Sequence, residues 1–88
     1  MKNLIIDGDK FESTESFYEY MVSLFPQKKQ YFGSNLDALY DILSDESYES
    51  ITIKRYQKIR FDLGDELFMN IQEILFDLDV TWEIVFEV

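Results

Sequence analysis

Two hydrophobic periods alternate along this chain, and that alternation restricts its fold more than any other feature. At the end, Val80, Trp82, Ile84, Phe86 and Val88 alternate with Thr81, Glu83 and Glu87, the period-two pattern of a strand with one buried face. Lys2 to Asp7 reads as a short strand closed by the turn signal Asp7-Gly8-Asp9. Ile51-Thr52-Ile53 opens a third strand, extending as far as Tyr56. Between the strands the period lengthens to that of a helix. Phe17, Tyr20, Met21 and Leu24 fall at i, i+3, i+4 and i+7, with Ser13 or Thr14 as the cap and Pro26 as the stop. Leu36, Leu39, Tyr40 and Leu43 repeat that spacing behind Ser34, a natural N-cap. A further helix is predicted from Asp65, turning Leu67, Ile71, Ile74, Leu75 and Leu78 inward. Residues 44–50 read as an acidic loop, and Gln57 to Gly64 has room for one turn of helix.

The resulting order, β-α-α-β-α-β, favours parallel strands joined by right-handed crossovers. The expectation is one α/β domain over residues 1–88: two layers, a three-stranded parallel sheet packed on about three helices. A chain of 88 residues buries only about 60–65% of its unfolded surface, so its core is thin. Eight Phe, six Tyr and one Trp compensate, each able to bury roughly 150–250 Å².

Charge narrows the function. Eight basic residues against 18 acidic ones leave a net charge of −10. Such a surface repels nucleic acid and anionic membranes and attracts basic proteins. It also favours a monomer when free. With no Cys and no His, the chain has no disulfide, thiol nucleophile, Cys/His zinc site or His-based triad. The lack of Cys fits the cytoplasm. Leu4-Ile5-Ile6 ends at Asp7, too short for a signal peptide or a membrane span. The charge is also segregated. No basic residue lies between Gln30 and Ile53, nor after Arg60. If the helices from Ser34 and from Asp65 are neighbours, their acids share one surface.

The candidate site is the acidic row Asp37, Asp41, Ser44 and Asp45, at i, i+4, i+7 and i+8 of the second helix. Like charges one turn apart cost a few tenths of a kcal/mol per pair, and no base in that helix offsets them. Asp37 stands three residues after Ser34, where a capping-box acid would meet the helix dipole. Asp41 lies beyond the first turn, and Asp45 sits at the unfavourable C-terminal end. A partner bringing Arg or Lys converts that cost into a gain. An exposed row supplies no desolvated carboxylate for acid–base catalysis, so the chain reads as a binder and not an enzyme. The acids at 37, 41, 45 and 46 lack calcium-loop spacing, Gly8, Gly33 and Gly64 form no phosphate loop, and no cofactor is expected. Tyr31, in the loop before the helix, suits a contact, whereas Phe32 and Tyr40 suit the core, Tyr40 by its place on the apolar stripe. Gly33 serves a tight turn into the helix.

The run Tyr31-Phe32-Gly33-Ser34-Asn35-Leu36-Asp37-Ala38-Leu39-Tyr40-Asp41-Ile42-Leu43 closely resembles the signature of the barstar family, Tyr-Tyr-Gly-x-Asn-Leu-Asp-Ala-Leu-Trp-Asp-x-Leu. Weaker similarity covers most of the chain, from the opening Ile-Asp-Gly to the closing strand. The resemblance implies a cytoplasmic inhibitor of a basic, guanyl-preferring ribonuclease of the barnase type. The second helix and its preceding loop would plug the enzyme's active site, their acids standing in for RNA phosphates. Carried over by position, Tyr31 matches the contact tyrosine, and Asp37 and Asp41 the two helix aspartates, Asp41 central. Gly33 and Asn35 match the motif, Tyr40 replaces the family's Trp, and Ser44 stands where Thr is frequent. Asp45 and Glu46 continue the acidic surface. The family also uses acids of its last helix, for which Glu73 and Asp77 are the candidates. Two other readings stand beside this one: an immunity protein of the same fold against a different toxin nuclease, and an acidic regulatory module with no nuclease partner.

Overall fold

The computed structural model describes residues 2–26 and 35–88. Its elements run β1 (Lys2–Asp7), α1 (Thr14–Ser23), α2 (Leu36–Ser44), β2 (Tyr48–Lys54), α3 (Tyr56–Leu63), α4 (Asp65–Phe76) and β3 (Val80–Glu87), with one 3-10 turn at Gly8–Lys10. The sheet is parallel throughout, in the order β1-β2-β3. The α/β architecture is the expected one, with four helices where spacing predicted about three. Right-handed crossovers between strands laid down in that order put both helical connections on one face. Burial agrees. Leu4, Ile6, Ile51 and Ile53 meet Phe17, Met21, Leu39, Leu43, Ile71 and Leu75 in one core, while Ile5, on the opposite parity of β1, is exposed.

The additional helix is α3, where Gln57 to Gly64 was given one turn. Arg55, at φ 58° and ψ 44°, turns the chain out of β2 immediately, so the strand ends at Lys54 and not Tyr56. Only Ile59 of α3 is fully buried, which leaves no apolar stripe for a periodicity to reveal. Polar contacts hold the helix instead. Lys58 Nζ donates to the carbonyls of Gly8 (2.9 Å) and Phe11 (3.0 Å) and pairs with Asp62 at 2.6 Å. The helix approaches so closely that a Cβ on Gly8 would lie 2.8 Å from Ile59 and 3.0 Å from two backbone carbonyl oxygens. Gly8 therefore answers to packing as well as to its turn.

Three further expectations are corrected. The acidic loop stops at Ser47, because Tyr48 already belongs to β2. Tyr48 is fully buried, its N–H donates to Asp79 O (3.0 Å), and its hydroxyl donates to Leu43 O (2.9 Å), tying the end of α2 to the sheet. Trp82 does not face the core; it is 74% exposed. The ladder shifts there, since Tyr48 pairs with Val80 but Ser50 with Glu83, and the alternation breaks at Trp82. Val88 lies past β3 and is also exposed.

Tyr48→Phe tests the tie between α2 and β2. It should cost about 0.5–1.5 kcal/mol, the net worth of one hydrogen bond. Leu43 O keeps a longer bond from Glu46 N–H, at 3.3 Å. Urea unfolding should show a lower midpoint at unchanged slope.

Candidate functional site

The candidate site grows from α2. Asn35, in extended backbone, accepts the Ala38 N–H on its side-chain oxygen at 2.8 Å and caps the helix. The cap is thus Asn35 and not Ser34, because the helix begins at Leu36. Asp37 is then the second helical residue, and the capping-box position falls on Ala38. Asp37 still lies in the first turn, near the positive end of the helix. Leu39, Ile42 and Leu43 enter the core, which leaves Asp37, Tyr40, Asp41 and Ser44 exposed.

Tyr40 is the main correction within the site. Its spacing placed it in the core, yet it is 37% exposed. Its hydroxyl donates to Asp77 Oδ2 at 3.2 Å. That hydrogen bond, then the carboxylate's charge, burial and Asp41, raise the phenol's pKa above its ordinary value. The bond links α2 to the end of α4.

Leu36, Asp37, Tyr40 and Asp41 face Asn70, Glu73, Ile74 and Asp77 across an open groove of about 570 Å³. The two acidic helices are therefore neighbours, and four carboxylates surround a floor that includes Leu36 and Ile74. Asn70 went unnamed at the level of sequence, although Asn70, Glu73 and Asp77 share one helical face at i, i+3 and i+7. Ser44, Asp45 and Glu46 lie outside the groove lining, at and just past the C-terminal end of α2. Ser44 donates to Asp41 O at 3.3 Å, and Asp45 is the C-cap. Burial, then the charges of Glu46 and Asp45, hold the Tyr48 phenol above its ordinary pKa. Tyr31, Phe32 and Gly33 lie outside the described residues, and the Asn35 side chain is engaged in capping.

Arg55, Lys58 and Arg60 are committed elsewhere. Arg55 pairs with Asp9 at 3.3 Å, and Arg60 with Asp65 at 2.7 Å, which lowers the Asp65 pKa. Among the described residues no ion pair engages Asp37, Asp41, Glu73 or Asp77. Nor do three acidic side chains there converge to hold a metal ion. No helix among them is long and apolar enough to cross a membrane. An exposed groove ringed by four carboxylates is suited to receive basic side chains of another protein.

A family model described as Barstar (barnase inhibitor) matches residues 1–87. No curated protein matches the chain.

Proposed function

The chain belongs to the barstar family, and from that membership we propose that it is a stoichiometric inhibitor of a basic, guanyl-preferring microbial ribonuclease. The observation that carries this reading is the meeting of Asp37 and Asp41 with Glu73 and Asp77 around one groove. A ribonuclease active site is built to hold phosphates, so its basic groups fit a ring of carboxylates. The inhibitor acts by occlusion and turns nothing over. Asp37, Tyr40 and Asp41 form the centre of the contact, with Glu73 and Asp77 on its α4 side. Tyr31, Gly33 and Asn35, which precede α2 in the sequence, join it, as do Ser44, Asp45 and Glu46 at its far end. The free chain is a cytoplasmic monomer, kept apart by its charge of −10.

Titrating a barnase-type ribonuclease with the purified chain tests this reading. The expected result is loss of RNA cleavage with an end point at equimolar chain. A folded sample that leaves the enzyme fully active at excess would overturn the barnase-type target. It would direct attention to a different toxin nuclease.

A further inference from the structure

The two edges of the sheet are treated differently. At the outer edge of β1, one phenol does the work of a neighbouring strand: Tyr20 Oη accepts the Asp7 N–H (3.0 Å) and donates to Ile5 O (3.0 Å). That occupies the Ile5 and Asp7 positions where an added strand would bond. At the other edge stands β3, eight residues long and without proline. Among the described residues no strand pairs with its outer side.

Apolar side chains flank this open edge on both faces. On the helix side, Phe76 of α4 is 61% exposed and lies against Phe86, with ring centroids 6.1 Å apart. Met69, seven residues earlier on α4, is exposed as well. On the helix-free side, exposed Trp82 shares a shallow recess with Asn3, Ser50 and Glu83. Such an edge is a template for another strand.

Charge selects the occupant. Across from β2, Glu83, Val85 and Glu87 pair with Ser50, Thr52 and Lys54 along the helix-free face. Both glutamates are exposed, and the chain carries no basic residue after Arg60. A second copy, paired antiparallel about Val85, would set Glu83 against Glu87, and like charges directly opposite destabilise a ladder. A basic strand is attracted by the same two residues. The existing neighbour already puts Lys54 opposite Glu87.

We propose that the outer edge of β3 takes an extended segment of a partner protein as a fourth strand. This segment carries Lys or Arg opposite Glu83 and Glu87 and a β-branched residue opposite Val85. Its intervening apolar side chains lie toward Phe76 and Phe86. The surface is separate from the α2–α4 groove, and the proposal does not depend on the ribonuclease.

The test uses the full chain, isotopically labelled, without ribonuclease, and the capped peptide Lys-Ile-Val-Ile-Lys as probe. Saturable shift changes and slowed amide exchange are expected in residues 81–87. The double variant Glu83→Lys/Glu87→Lys should bind the peptide about tenfold more weakly, because two cross-strand attractions become repulsions. A peptide with Glu in place of both Lys should recover binding to that variant. Absence of saturable change, change confined to α2, or equal affinity of the Lys peptide for the unaltered chain and the double variant would overturn the proposal. So would protection of β3 that rises with chain concentration alone, which would assign the edge to a second copy.

Discussion

Asp41→Ala is expected to weaken the complex with the ribonuclease by about 2–5 kcal/mol, chiefly through faster dissociation. This corresponds to a dissociation constant raised about thirtyfold to several-thousandfold. The magnitude is that of truncating one partner of a buried charge pair, the barnase–barstar complex included. It is large because the enzyme's basic groups would stay buried with nothing opposite them. The free chain should not suffer. Asp41 is exposed and makes no ion pair among the described residues. Its removal also relieves repulsion from Asp37 and Asp45, one turn away on each side, by a few tenths of a kcal/mol. Binding should therefore collapse while the melting temperature holds or rises slightly. Glu46→Ala, beyond the groove, should change mainly the association rate and its salt dependence. Stopped-flow association and dissociation rates at two salt concentrations measure both variants. Equal weakening by the two would refute a site centred on Asp41.

Phe17→Ala should come close to unfolding the domain. Phe17 is 1% exposed and packs edge-on against Phe11 at 5.1 Å and Tyr18 at 5.3 Å. Removing a buried Phe side chain costs about 3–5 kcal/mol, transfer and cavity together. An 88-residue domain has a total stability of only about 4–13 kcal/mol. Circular dichroism should show a transition lowered by tens of degrees, or no folded baseline at physiological temperature. Phe17→Leu, which keeps most of the volume, should cost less than about 1.5 kcal/mol. If Phe17→Ala cost no more than Phe17→Leu, the aromatic core could not be what compensates for the small size of the chain.

Much of the architecture was legible because it depends on local pattern. α1 and α2 each carry a clear period, β1 is a short apolar run closed by a turn signal, and strands separated by helices favour a parallel sheet. The acids of α2 were legible as a row, since positions four apart on a helix share a face by geometry alone. Other elements were hidden for identifiable reasons. α3 is anchored by Lys58 on carbonyls up to 50 residues away, and a polar anchor leaves no apolar period. Tyr48 sits among acidic neighbours, Glu46 and Glu49, that mask a fully buried side chain. Trp82 keeps the parity of an inward residue, but the shifted ladder leaves it outside.

By itself, the sequence determined where β1, α1, α2, α4 and β3 lie, most of their apolar faces, and that α2 bears an acidic row with no base of its own helix to offset it. Those properties arise from residues a few positions apart. Tertiary structure alone decided that α4 brings Glu73 and Asp77 to that row, and that Tyr40 leaves the apolar stripe to bond Asp77, 37 residues away. It also decided that Tyr20 occupies the outer edge of β1 at Ile5 and Asp7, while among the described residues no strand pairs with the outer edge of β3. The physical reason is that a helix or strand period reports which side of an element seeks burial. It carries no information about the distant polar group that will stand opposite the other side.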